Sequence, residues 1–467
     1  MASAAQKGKT YIFEEMPILP ALAKMAIPTI LSQLVTLVYN MADTWFIGQT
    51  NNPYMVAASS LVLTVYMIST ALANLFGTGG GTLAVRLLGG GDEEEARKTV
   101  SVSLILALGV ALAYSGLCLV FMNPLLRTLG ASEHTIGYAR QYLLFVVVLG
   151  GPFTILSVTM NSLLRNAGYS RESGFGMCFG GLLNMALDPL FMFVLLPDGY
   201  EVMGAAIATM LSNMATFTYF LFVYRRVSRV SILSIPRRFE KLRRQSYTAM
   251  FGVGVPAAMS IILYDLANMV LNRLSSGYGD QALAAMGIVL KVERLPLNIG
   301  IGICLGMVPL VAYNYASGNW DRMRAFFRGA RTCGVAVSVA CVVLYRCFAP
   351  VLVRLFIQDE TTVAYGTSFL QARCYATPFM FLSFHMVHFM QSVGKGRVSF
   401  RLAAIRQLCL NIPIALLFNS LFGIMGIVWT QATADAVNVV SSYVIYHFVA
   451  KKLFSPLPKD EKESILS

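Results

Sequence analysis

The sequence predicts an all-α polytopic membrane protein of twelve transmembrane helices in two pseudo-symmetric halves of six. Three observations predict it: serial apolar runs, basic charge confined to alternate loops, and an internal repeat. Of 467 residues, 56% are hydrophobic and only 13% charged, and the mean hydropathy is +0.64. A soluble chain of this length carries about twice that charged fraction and no series of 20-residue apolar runs.

The apolar runs of the first half fall at 19–48, 54–78, 98–121, 137–164, 173–196 and 203–224. Those of the second fall at 247–272, 281–313, 325–349, 363–391, 399–422 and 425–449. Each is long enough to cross a bilayer. Residues 1–18 are polar and lack a small-residue cleavage site ahead of a short apolar core, so they read as a cytoplasmic tail. Residues 225–246 read as a basic cytoplasmic linker between the halves 19–224 and 247–450, and 451–467 as a second cytoplasmic tail. The net charge of +13 follows this topology. With the N-terminus inside, inner tails and loops hold roughly 27 of the 36 Lys and Arg, and outer loops about four. Both termini are then cytoplasmic. The richest cluster, Arg225 to Arg244, sits where anionic lipid headgroups would meet it, and it excludes a nucleic-acid partner as the better reading.

The repeat is legible landmark by landmark. Ile27-Pro28 recurs as Val255-Pro256, Gly91-Asp92 as Gly318-Asn319, Pro152-Phe153 as Pro378-Phe379, and Met203-Gly204 as Met425-Gly426. Six is even, so both halves enter from the same side, related about the membrane normal. Asp92 with Glu95 three residues on predicts a capping box opening helix 3. Gly77 to Gly81 lacks the Gly-Lys-Ser/Thr of a phosphate loop and reads as close helix packing or a flexible segment.

Other chemistries are excluded by what they require. The eight cysteines lie mostly inside apolar runs with no C-x-x-C spacing, which argues against a disulfide or zinc framework. No Ser-His-Asp, Cys-His or H-E-x-x-H arrangement appears, so the chain reads as no enzyme and needs no cofactor. His385 and His388, i and i+3 in helix 10, lack a third ligand and read as polar lining.

The informative residues are polar ones inside the membrane. Asn184 and Asp188 are i and i+4 in the apolar run of helix 5, so amide and carboxylate share a face. An intramembrane carboxylate is expensive and is tolerated mainly toward a bundle interior or a water-filled cavity. Pro189 frees the backbone carbonyl one turn earlier. Helix 1 carries Gln33, Thr36, Asn40 and Asp43 as one polar stripe. Asp43 and Asp188 both fall in the outer half of the bilayer. Asn161 on helix 4, and Thr209 with Asn213 on one face of helix 6, are positioned to complete an oxygen-lined cavity. At the equivalents of Asp43 and Asp188 the second half has Leu271 (or Val270) and Ile412. Helices of this architecture therefore do not need those carboxylates to pack.

The second half has Asp265, Asn268, Lys291, Glu293, Arg294, Asn298, Arg406, Asn411 and Asp435. Glu293 with Lys291, Arg294 or Arg406 reads as a structural or gating ion network. Asp265 and Asp435 have no sequence-local partner and are second candidates for recognising a cation.

These residues resemble the multidrug and toxic compound extrusion (MATE) family, in the branch similar to the bacterial DinF and MepA types. The resemblance covers residues 20–450. It rests on Asp43-Thr44-Trp45-Phe46-Ile47-Gly48, Asn184-x-x-x-Asp188-Pro189 and Gly204-Ala205-Ala206-Ile207-Ala208-Thr209. Glu293-Arg294-Leu295-Pro296-Leu297-Asn298-Ile299-Gly300 and Pro309 to Tyr315 add to it. It implies two six-helix lobes in a V that alternate access, exporting hydrophobic, mostly cationic drugs against entry of H+ or Na+. On it, Asp43, Asn184, Asp188 and Thr209 match the cation site, with Asn161 a further lining match. Gln33, Thr36, Asn40, Asn213, Asp265, Glu293, Arg294 and Asp435 are the remaining cavity candidates. No metal is expected beyond Na+ at Asp43, Asn184, Asp188 and Thr209. The expected partners are small-molecule drugs and membrane lipids around a monomer in the plasma (inner) membrane. A lipid or polysaccharide-precursor flippase of the same superfamily is the alternative.

Overall fold

The computed structural model describes residues 10–50, 52–235 and 240–453. They are helical almost throughout, with no strand among them. The outermost residues of both expected tails, and Arg237 in the linker, lie outside the described residues.

The first repeat comprises α1 (Ile18–Gln49), α2 (Pro53–Gly89), α3 (Glu93–Val120), α4 (Ile136–Leu149 with Gly151–Asn166), α5 (Ser170–Leu195) and α6 (Glu201–Val227). The second comprises α7 (Arg244–Ser275), α8 (Asp280–Ala316), α9 (Trp320–Arg354) and α10 (Glu360–Arg373 with Ala376–Ser392). The last stretch, Gly396–Phe448, divides at Gly423 into α11 (396–422) and α12 (from 424). By length and hydropathy, nine helices among the described residues suffice to cross a membrane, or ten with the two parts of α4 taken as one span. The twelve of the sequence follow once α11 is separated from α12 and the two short parts of α10 are joined.

The breaks have local causes. α4 bends by 46° just ahead of Pro152, and α10 is interrupted at Cys374-Tyr375 just ahead of its repeat partner Pro378. Proline has no N–H to continue the ladder and its ring crowds the preceding turn. Gly423 holds φ at +60°, a region that side chains with a Cβ rarely adopt.

Contacts divide the chain into two units, each with its own core. The first holds residues 10–16 and Ile27–Ala258; the second holds Pro17–Ala26 and the chain from Met259. The unit boundaries within helices lie inside α1 and α7, beside Pro28 and Pro256, where each helix lacks a backbone hydrogen bond. One core in each unit is built from equivalent positions. Ala58, Leu143, Ala205 and Ala206 belong to it in the first, and Ala285, Phe369, Ile427 and Val428 in the second.

The start of the linker belongs to the first unit. Ile232 and Leu233 are buried against Val223, Tyr224 and Val227, and the Ser101 and Ser234 hydroxyls meet at 2.8 Å. Asp92 caps α3 by accepting from the Glu95 N–H at 3.1 Å. The reciprocal half of the expected capping box is replaced. Glu95 Oε1 instead accepts from the Arg243 N–H at 2.9 Å and the Ser246 hydroxyl at 2.7 Å, while Arg243 pairs with Asp92 at 2.7 Å. The acidic run thus ties the start of α7 to α3. Of the two readings of the glycine run on α2, the structure has close packing: a Cβ on Gly81 would lie 2.6 Å from Asn166 Nδ2.

Candidate functional site

The site is assembled by the glycine faces of α5. Gly174 and Gly181 abut α1: a Cβ on Gly174 would lie 2.9 Å from the Pro28 side chain, and one on Gly181 2.9 Å from Val35 and 3.1 Å from Tyr39. Seven residues beyond Gly181 on the same face comes Asp188, and one turn beyond Tyr39 comes Asp43. Gly176 and Gly180 abut α6 at Phe220 and Thr216, and one turn beyond Gly180 comes Asn184. α5 is therefore pressed between α1 and α6, with its carboxylate and its amide facing the two neighbours.

Asp188 is 0% and Asn184 2% exposed; Asp43 and Thr209 are half-buried. The Asn184 amide donates to Asp188 Oδ1 at 3.3 Å and toward Thr209 Oγ1 at 3.4 Å. Three buried oxygens are left without a donor: Asp43 Oδ1, Asn184 Oδ1 and Asp188 Oδ2. Buried acceptors are ordinarily paired, and an unpaired one costs about 1–3 kcal/mol. Two carboxylates close enough to interact electrostatically would repel as a pair of anions. The group is thus acceptor-rich and lacks positive charge. Carboxylate, amide and hydroxyl oxygens are the donor set of a hard cation, and a proton relieves the same penalty. Among the described residues no three His, Cys, Asp or Glu cluster as a metal centre; two acids with neutral oxygens suit a single positive charge.

Sequence reasoning missed the tyrosines around the group. Tyr39, Tyr66 and Tyr142 all interact electrostatically with Asp43. Tyr66 also lies beside Tyr39, Asn213 and Thr154. The only signal for Tyr39 is its place one turn before Asp43; Tyr66 and Tyr142 stand on helices with no acidic partner nearby in sequence.

The other candidates divide. Asn213 donates to Thr154 Oγ1 at 2.9 Å, joining α6 to α4 behind the acidic group. Asn161 Oδ1 accepts from Ser173 at 2.5 Å, so it is an α4–α5 tie. Gln33 and Thr36 are half-buried and Asn40 exposed, and none is hydrogen-bonded to the acidic group.

In the second unit two expectations are corrected. Glu293 pairs with neither Lys291, Arg294 nor Arg406; both of its oxygens accept from buried Arg373 on α10, at 2.9 and 3.0 Å. Lys291 and Arg294 are exposed, because they project from faces of α8 other than the one that carries Glu293. Asp435 is not a free acid awaiting a cation. Arg406 on α11 bridges it at 2.5 and 3.1 Å, and Gln431 donates to it at 2.6 Å. Asp265 is half-buried and interacts electrostatically with Arg294. His385 is buried and contacts the backbone carbonyl of Phe327, and His388 contacts that of Phe384.

The sequence pattern of the MatE family matches residues 28–190 and again 256–417, once for each repeat. The chain is 29% identical to multidrug export protein MepA of Staphylococcus aureus over 445 residues, 95% of this chain and 96% of that one. The MepA protein of Staphylococcus saprophyticus is 28% identical over the same share. The fold matches the outward-facing conformation of a multidrug resistance MATE family transporter of the MOP superfamily, with a TM-score of 0.88 at 23% identity. That match covers 96% of this chain and 99% of the other.

Proposed function

The chain belongs to the MatE family of membrane transporters, and from that membership we propose that it exports hydrophobic, mostly cationic drugs in exchange for a proton or Na+ entering the cell. It is a transporter and not an enzyme. Drug export is what the MepA relatives are named for.

The observation that carries the coupling is the trio of buried, donorless oxygens on Asp43, Asn184 and Asp188. A cation bound there cancels the repulsion of the two carboxylates and draws α1 toward α5. Without it, the pair disfavours the closely packed arrangement. Exchange follows only if the cation binds one conformation better than the other. Pro28 and Pro189, each lacking a backbone donor within its helix, are the points where α1 and α5 give most readily.

The test is drug efflux from liposomes holding the purified protein, driven by an imposed proton or Na+ gradient. The Asp43→Asn/Asp188→Asn variant is expected to retain fold and drug binding but lose gradient-driven efflux. Wild-type gradient dependence in that variant would refute the assignment, and a strict preference for a large anionic lipid would favour a flippase. For orientation, single cysteines at Arg237 and Pro53 should label from opposite sides of the membrane.

A further inference from the structure

The second unit contains a buried polar cluster on α11 and α12, the repeat counterparts of the α5 and α6 that carry most of the candidate cation site. The register set by Met203-Gly204 and Met425-Gly426 places Gln431 where Thr209 stands, and Asp435 where Asn213 stands. On the facing helix α11, Asn411 stands beside Ile412, the counterpart of Asp188, and its amide donates to Gln407 Oε1 at 3.0 Å. The same amide donates toward Gln431 Oε1 at 3.4 Å, as Asn184 does toward Thr209 Oγ1 at 3.4 Å. Each cluster holds a fully buried carboxylate, Asp188 on α5 and Asp435 on α12, both 0% exposed. Each leaves an asparagine Oδ1 buried without a donor. The clusters differ in three respects: the second has no counterpart of Asp43, its carboxylate stands on α12 instead of α5, and it contains Arg406. Its guanidinium lies on Asp435 at 2.5 and 3.1 Å, is 3% exposed, and stacks 4.7 Å from the Phe384 ring centroid.

We propose that Arg406 is a tethered cation, compensating the buried carboxylate of the second half as the exchangeable cation compensates those of the first. The second cluster is thereby kept permanently in its charge-compensated form. A guanidinium stays protonated at any physiological pH and cannot leave, so this half neither takes up nor releases a cation as the protein cycles. Cation exchange is confined to α1, α5 and α6. The Phe384 ring and the bidentate geometry hold the guanidinium where a free ion would diffuse away. Removing it leaves Asp435, the Gln431 carbonyl and the orphan Asn411 Oδ1 as an oxygen donor set for a hard monovalent cation.

This rests on the first-half reading, and the experiment separates the two. In the Asp43→Asn/Asp188→Asn background the first site is gone, so efflux by that variant reports on the first reading alone. Arg406→Gln is then added, and the full-length protein is assayed at fixed pH with NaCl replacing choline chloride. The expected result is about one 22Na+ bound per protein and an unfolding midpoint raised by about 3–5 °C at saturating Na+. The parent double variant should show neither, and adding Asp435→Asn should abolish both. A folded Arg406→Gln variant that binds no Na+ overturns the proposal. Should Arg406→Gln fail to fold in either salt, Arg406→Gln/Asp435→Asn in the wild-type background decides. That neutral pair is expected to pump with wild-type ion dependence. A folded but inactive pair would mean that Arg406 does more than compensate charge, and the proposal falls.

Discussion

The two halves of this protein descend from one pattern, yet treat buried charge in opposite ways. In the first, Asp43 and Asp188 interact electrostatically with no basic residue paired to either, and three oxygens lack donors. In the second, the buried acids Glu293 and Asp435 are each gripped bidentately by an arginine. Matched helices show that the fold itself requires neither solution. The unpaired arrangement costs stability, and a protein retains such a cost where the missing partner arrives from outside. The paired arrangement is closed: its partner is covalent, and removing one side strands the other.

That contrast makes opposite predictions for equivalent mutations. The largest effect is expected at Glu293→Gln or Arg373→Ala, each of which strands a buried charge or its donor. Loss of about 3–5 kcal/mol of stability follows, read as reduced yield and a lower unfolding midpoint in detergent. Little change there would break the contrast. Next comes Asp188→Asn, expected to lower gradient-driven efflux at least tenfold while the unfolding midpoint stays level or rises, since an amide removes a repelling charge. A fall in midpoint as large as that of Glu293→Gln would show Asp188 to be structural.

Smaller effects sharpen the geometry. Gly181→Val would push Val35 and Tyr39 away from α5, an overpacking cost of about 1–3 kcal/mol, and should weaken coupling by moving Asp43 from Asp188. Stability retained with coupling lost would be the sharpest form of this result. Glu95→Gln keeps one acceptor for the Arg243 N–H and Ser246, so it is expected to cost only about 1 kcal/mol, seen as faster proteolysis of the linker. The smallest effect belongs to Asp359, which caps α10 by accepting from the Thr362 hydroxyl and N–H at 2.6 and 2.8 Å. Those bonds hold its carboxyl below the usual range. Its contribution is therefore present above the ordinary carboxylate pKa and is lost as pH falls through the lowered value. Asp359→Ala should lower the unfolding midpoint slightly at neutral pH, with the difference from wild type closing as pH falls through the lowered value.

The sequence by itself determined the class of fold, the twelve crossings and the repeat, because hydropathy and spacing are local properties that a bilayer enforces on each helix separately. It also located Asp43, Asn184 and Asp188, since a carboxylate in an apolar run stands out whatever surrounds it. The seven-residue row Gly174, Gly181, Asp188 that docks α5 on α1 was present in the sequence and readable as a close-packing face. Partner identity was not readable. Glu293 is 80 residues from Arg373, and Arg406 is 29 from Asp435. Helical periodicity assigns a residue to a face but does not say which helix that face meets, or at what height. The same holds for Glu95, whose cap partner was displaced by the linker, and for Tyr66 and Tyr142, whose nearness to Asp43 depends on how α2 and α4 are registered against α1. Which buried charge is compensated from within and which is left open is decided by interhelical register, and only the tertiary structure sets it.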